Sequence, residues 1–401
     1  MCLFLFFSFE KGSGVNFIMF VNVLVVFLIF NNFCNGQTGD DLKALKTMLF
    51  TTNAYRKDVR PSIDQTKPTQ IFLDLYLVGL NGIDEVSQKL TTTGFLYTGW
   101  QDDYLVWSPA SYGGITTIQA SQSDIWKPDI AVQNGFAKLK ELGDNFINAR
   151  IYNTGEITWL PFEVFETKCA IDIRYFPFDQ QTCNLIFVVW TSNVFDVNVT
   201  QGSKGAILYN FQNDGVWSIE STSAKTSTET AESMVTFTLI LKRGSSYYVL
   251  NVIIPVILLG ILNVLTFVLP ADSGEKIGYT ITVFLSFSVF LTIISSELPR
   301  TSGSILGYYL IFQLVMGTVV VLITAFELRF HHKKDPVPQR LLRCFSRKNV
   351  ISDSTAKTAD DQENTDMTWS DIISTFDMIM FFISSFLLVI ATLTILLMLS
   401  V

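Results

Sequence analysis

The fifteen residues Cys169–Cys183, reading CAIDIRYFPFDQQTC, decide how the rest of the chain is read. Two cysteines enclose thirteen residues, and Phe176-Pro177-Phe178-Asp179 stands near the apex. A disulfide between Cys169 and Cys183 would close a compact loop and restrict the unfolded chain by roughly 3 kcal/mol. Phe176 and Phe178 flank Pro177, which makes a stiff apolar tip to which a cis X-Pro bond is open. Such a tip, tied covalently, is costly in water unless something covers it. The same spacing also describes an ordinary disulfide of an exported domain, and the loop alone leaves that reading open.

Composition narrows the classes. The chain has 401 residues, enough for two or three domains, and its 49% hydrophobic content includes 34 phenylalanines placed unevenly. Of the five cysteines, Cys2 and Cys34 lie in the leader and Cys344 in a basic stretch, which leaves Cys169 and Cys183 as a pair suited to an oxidising compartment. His331 and His332 are adjacent and distant from acidic clusters, so no metal site is expected. There is no phosphate-binding glycine loop, nucleophile elbow or paired-cysteine metal motif. Neither an enzyme, a cofactor nor a nucleic-acid partner is expected.

Read in order, the chain opens on an apolar run, Val15–Phe30, behind Lys11 and ahead of Asn35-Gly36-Gln37. That is the pattern of a signal peptide over residues 1–36 cut near Gly36, with Met19 as an alternative start. Asp40–Phe50 spaces its apolar residues like a short amphipathic helix. From Thr69 to Arg243 short alternating runs are broken by turns, which predicts an all-β, immunoglobulin-like sandwich over residues 37–244. Asn153-Thr154-Gly155 is a hairpin candidate, and Asn198-Val199-Thr200 is the glycosylation sequon.

Four charge-free stretches follow: Ser245–Leu269, Ile277–Ser296, Thr301–Phe326 and Met378–Val401. Each reaches the ~20 residues that cross a bilayer as a helix, predicting a four-helix transmembrane domain. The first three spans occupy residues 245–330 and the fourth 371–401. The polar segment 331–370 begins HHKKDPVPQRLLRCFSRK, which positive-inside bias assigns to a cytoplasmic linker, leaving both termini outside the cell.

Within the second stretch Gly278, Thr282, Leu285, Val289, Thr292 and Ser296 recur at spacings of four and three, on one helical face. A face with hydroxyls at both ends and an apolar middle suits a pore that is wet at its ends and gated by dewetting. A helix-packing stripe is the plain alternative. Glu275 and Glu297 stand at the two ends of the helix. Each helix N-terminus at such a pore would contribute roughly +0.5 charge, and its Glu275 about twice that with opposite sign. Cation conduction is therefore expected, with Lys276 turned ~100° away from Glu275.

The segment IYNTGEITWLPFEVFETKCAIDIRYFPFDQQTCNLIF resembles the signature loop of Cys-loop receptors, the pentameric ligand-gated ion channels, and is most similar to nicotinic acetylcholine receptor subunits. LPADSGEKIGYTITVFLSFSVFL is similar to the pore segment of the cation-selective members. The resemblance implies a cation-channel subunit at the plasma membrane, assembled with four identical or homologous subunits and opened by a small-molecule agonist. It implies that Glu85 and Arg243 form an ion pair tying the binding domain to the pore. The tip Phe176, Pro177 and Phe178 would sit beside them, against the Leu298–Gly303 loop. On this reading the double swap of Glu85 and Arg243 restores part of the gating that either single change removes.

At the ligand pocket the sequence departs from the family. Trp190 matches the central tryptophan of the aromatic cage and Phe95 an aromatic of the complementary face, although a core Trp is the plain alternative for Trp190. Gln133 stands where a tyrosine is usual, Ser192 replaces a second one, and Glu220–Ser233 lacks both the adjacent cysteine pair and any aromatic. A complementary-face or non-conducting accessory subunit is thus the second expectation. A membrane-anchored adhesion protein is the third, disfavoured because one span would suffice.

Overall fold

A computed structural model describes residues 37–228, 231–271, 274–297, 303–333 and 369–399, with side chains described to residue 295 in the second span. The expected signal peptide, most of the 331–370 linker, the 298–302 loop and the side chains of Ser296 and Glu297 lie outside these residues.

The first described element is a helix, Gly39–Lys46, that continues as a wider-turned segment, Thr47–Thr52. Thr38 caps it: its hydroxyl accepts from the Asp41 amide while the Asp41 carboxylate accepts from the Thr38 amide. Leu45 and Leu49, one turn apart, are fully buried at the end of the sandwich.

Twelve strands follow among the described residues. β1 (Thr69–Asp84) and β2 (Lys89–Gln101) form the long central hairpin of an eight-stranded sheet. The sheet is completed by β3 (Thr117–Ser121), β5 (Asn148–Tyr152), β6 (Glu156–Trp159), β7 (Phe162–Lys168), β9 (Val197–Gln201) and β10 (Ile207–Gln212). The second sheet has four strands, in the order β11 (Trp217–Ser227), β12 (Met234–Arg243), β8 (Gln180–Val189), β4 (Ile130–Val132). Alternation sets the core: Ile71, Leu73, Leu75 and Leu77 on β1 and Val235, Phe237, Leu239 and Leu241 on β12 are fully buried. Phe187 joins the sheets, edge-to-face with Phe165 at 5.4 Å and with Phe237 at 5.9 Å.

The Asn153-Thr154-Gly155 turn connects β5 to β6, with Gly155 at φ +86°. A Cβ there would lie 2.4 Å from the Asp102 carbonyl oxygen, so the turn requires glycine. Cys169, just past β7, is disulfide-bonded to Cys183 on β8 with Cα atoms 5.2 Å apart. The bond ties one sheet to the other, and the loop it closes hangs from the sandwich toward the helical domain.

Four long apolar helices follow, making this a multi-pass membrane protein with four candidate spans: Ser246–Val268, Lys276–Glu297, Ile305–His331 and Trp369–Leu399. The last begins nine residues before the charge-free stretch that starts at Met378. It carries Asp371 and Asp377 in its opening turns; Asp377 is tolerated because a lysine of the second span reaches it. The two domains meet directly: the Ile305 amide donates to the Arg174 carbonyl of the disulfide loop at 3.0 Å.

Candidate functional site

Arg243 is the last residue of β12 and stands three residues before the first span. Its side chain is 1% exposed, so its charge has to be answered locally. Nε and one terminal nitrogen donate to the two carboxylate oxygens of Asp179 at 2.7 and 3.1 Å. The other terminal nitrogen donates to Glu85 at 2.6 Å and to the Tyr248 hydroxyl at 3.3 Å. Trp217, Phe176 and Tyr248 enclose the guanidinium, with ring centroids at 4.2, 4.9 and 5.3 Å. Burial by itself lowers the pKa of Arg243, but the bonds to Asp179 and Glu85 outweigh it and hold the group above its ordinary value. Asp179 also accepts from the Gln181 amide at 2.6 Å.

Five elements therefore converge on one cation: the turn after β1 through Glu85, the disulfide loop through Phe176 and Asp179, β11 through Trp217, β12, and the start of the first span through Tyr248. Phe176 packs edge-to-face on Tyr248 at 4.9 Å, so this ring of the apolar tip is covered by the membrane domain. Phe178 is half-exposed, and the Phe176–Pro177 peptide is cis. Asp179 is a partner that the apolar pattern of the FPFD run does not announce, because its cation lies 64 residues away along the chain.

In the second span Gly278, Thr282, Leu285, Val289 and Thr292 all lie on the exposed face of the bundle. Leu285 and Val289 are 60% and 53% exposed, while Val283, Phe287 and Ile294 on the other side are buried against neighbouring spans. The hydroxyls of Thr282 and Thr292 donate to carbonyls one turn back at 2.7 and 3.0 Å, so neither needs a partner helix. Glu275 is exposed at the start of the helix. Lys276, the next residue, is fully buried, donating to Glu327 of the third span at 2.8 Å and to Asp377 of the fourth at 2.5 Å. Both carboxylates were missed because charge-free windows end where such residues begin.

The ligand-face residues lie apart within one chain. Trp190 follows β8 and is 55% exposed, which corrects the core alternative. Its amide donates to the Asp129 carbonyl at 3.1 Å, at one end of the β4–β8 ladder. Gln133, exposed, marks the other end, its amide donating to Ile186 at 2.8 Å; Ser192 is half-buried beyond Trp190. Phe95 lies on the other sheet, stacked on Tyr76 at 4.9 Å and edge-on to Tyr209 at 5.8 Å. Tyr76 faces Phe95 directly across the β1–β2 hairpin, while Tyr209 reaches both through the parallel pairing of β1 with β10, which no local pattern announces. Asn198 is half-buried on β9, where its amide donates to Gln70 at 3.0 Å.

Comparison with known proteins agrees with this architecture. The family profile described as "Neurotransmitter-gated ion-channel ligand binding domain" matches residues 43–245, and "Neurotransmitter-gated ion-channel transmembrane region" matches residues 252–347. The acetylcholine receptor subunit delta of Gallus gallus is 33% identical over 308 residues, covering 71% of this chain and 60% of that protein. The neuronal acetylcholine receptor subunit alpha-3 of Homo sapiens is 33% identical over 287 residues, covering 70% and 57%. The acetylcholine receptor subunit beta-like 1 of Drosophila melanogaster is 33% identical over 321 residues, covering 78% and 61%. The chain thus spans about 60% of the length of the relatives it matches. With the ligand-binding profile covering half the chain and the transmembrane profile most of its helices, the protein belongs to the neurotransmitter-gated ion-channel, or Cys-loop receptor, family and not to a family of enzymes.

Proposed function

We propose that the chain is a subunit of a pentameric ligand-gated cation channel of the plasma membrane. Residues 37–244 form the extracellular ligand-binding part, residues 331–370 the cytoplasmic linker, and both termini lie outside. The observation that carries the reading is the exposed stripe of the second span, Gly278 to Thr292, whose opposite face is buried and anchored by Lys276. Five such stripes line a pore with apolar rings at Leu285 and Val289 and hydroxyl rings at Thr282 and Thr292. Adjacent helical positions diverge by ~100°. A lysine fixed toward the bundle interior therefore supports a Glu275 ring turned to the lumen, where it attracts cations, with Glu297 at the outer mouth.

Agonist binding between subunits is relayed through the Arg243 centre, because Glu85, Phe176 and Asp179 connect the sandwich to the first span there. The presence of Asp179 revises the expected swap. With Glu at 243 and Arg at 85, the new carboxylate faces Asp179, so the double exchange fails to restore gating.

One observation favours a second reading, in which the chain supplies the complementary face of a hetero-pentamer. Phe95, Tyr76 and Tyr209 form a half-exposed aromatic cluster, whereas Gln133 and Ser192 leave Trp190 without aromatic company from those positions. Voltage clamp of the chain expressed alone and with nicotinic-type partner subunits, under a panel of amines and amino acids, separates the two. Current from the chain alone supports the first, and current only with a partner supports the second. In either setting Glu275→Ala shifts the reversal potential toward that of chloride; an unchanged potential refutes the selectivity assignment.

A further inference from the structure

The interior of the membrane domain holds polar groups that gating and selectivity as described do not use. Asn263 of the first span and Gln313 of the third are both more than nine-tenths buried. They face a cavity that leaves about 10 Å³ for the centre of a water molecule, closed on the third side by Phe284 and Phe287 of the second span. Asn263 Oδ1, an acceptor, and Gln313 Nε2, a donor, have no hydrogen-bond partner among the described residues. Two glycines make the room. A Cβ on Gly260 would lie 2.9 Å from Gln313 Nε2, and one on Gly317 would lie 3.2 Å from the Phe284 ring. An apolar bundle would fill such a place with methyl groups; this one has small residues and two amides.

We propose that this cavity is a binding site for a single water molecule, which donates to Asn263 Oδ1 and accepts from Gln313 Nε2. About 10 Å³ for the centre of a water molecule is room for one water. Water both donates and accepts, so it answers the amides whichever way each is turned. Within hydrocarbon no bulk solvent reaches these atoms, which makes a resident water the means of satisfying them. Phe284 and Phe287 are neighbours in sequence of Leu285 on the opposite face. The bridge therefore joins the first and third spans directly behind the apolar ring assigned to the pore.

The test is a cryo-EM map of the full-length assembled protein in lipid nanodiscs, at a resolution that resolves ordered water, together with thermal unfolding of variants. Density within hydrogen-bonding distance of both amides is expected. Asn263→Leu and Gln313→Leu each lower the unfolding temperature by about 2–4 °C, and the double variant loses less than the sum because neither amide is left alone. Asn263→Ser keeps a polar atom and retains most of the stability, which covers the case in which the leucine variant does not fold. A direct bond between the two amides, a cavity without density, or losses that add overturns the proposal. Occupancy and unfolding are read without current, so the result stands apart from that of the channel experiments.

Discussion

Arg243, at the junction of the two domains, and Lys276, inside the helical bundle, make the same electrostatic arrangement and differ in what it joins. Each is a fully buried cation held between two carboxylates from different elements. Around Arg243 the planar fork uses three nitrogens in fixed directions and its faces stack on aromatic rings, a geometry lysine cannot copy. Around Lys276 a compact ammonium sits between the third and fourth spans, and its position fixes the rotation of the second. The first centre bridges two domains that move against each other in the proposed gating. The second lies within one bundle. Equal burial thus serves transmission in one place and orientation in the other.

Neutralisation separates these roles most sharply. Removing one partner of a buried ion cluster costs about 3–5 kcal/mol, because the remaining charges are stranded. Arg243→Leu and Lys276→Met are both expected to abolish surface expression, measured by labelling of intact cells. The triple change Lys276→Met, Glu327→Gln, Asp377→Asn leaves no charge stranded and recovers assembly, though with altered reversal potential. The corresponding change of Arg243, Glu85 and Asp179 to Met, Gln and Asn recovers surface protein without agonist current. Equal recovery of current in both triples would erase the distinction. Arg243→Lys, which keeps the charge and loses the fork, is expected to express and to gate poorly.

Asp102 supplies the contrast of a buried carboxylate with no cationic partner among the described residues. Its carboxylate accepts from the Tyr55 hydroxyl at 2.7 Å and from the Tyr104 amide at 2.9 Å. Burial raises its pKa from the ordinary 3.8 to about 6. The folded state therefore binds this proton more tightly than the unfolded chain does. Its contribution to stability is complete below about pH 4 and is lost as pH rises through about 6, by up to about 3 kcal/mol at 1.36 kcal/mol per unit. Asp102→Asn should flatten the unfolding temperature over that interval; a variant with the parent's pH profile would remove Asp102 from this role. The smallest effect is expected at the ligand face. A cation–π contact is worth about 0.5–2 kcal/mol, so Phe95→Ala should raise the half-maximal agonist concentration roughly 2- to 30-fold without changing reversal potential. A change in selectivity instead would place Phe95 outside ligand binding.

The sheets and spans were legible because their signals are local. Period-two alternation in IFLDLYLVGL marks β1, and unbroken apolar runs mark the four helices. The disulfide was legible by elimination, and the stripe from Gly278 to Thr292 because one helix carries its own period. Window rules failed where a charge is tolerated by a distant partner. The fourth helix begins at Trp369, and Glu327 and Asp377 are part of the bundle interior, because Lys276 neutralises them across 51 and 101 residues of chain.

By itself, then, the sequence determined which segments fold as strands, which cross the membrane, and which face of the second span stands apart. Those properties depend on neighbours within about two helical turns or a strand pair. Only the tertiary structure decided what meets what: Asp179 at the guanidinium of Arg243, Tyr209 beside Phe95, and the unanswered Asn263 Oδ1 and Gln313 Nε2 around one small cavity. Burial makes each of those partners necessary, and burial is created by packing between segments that are remote along the chain.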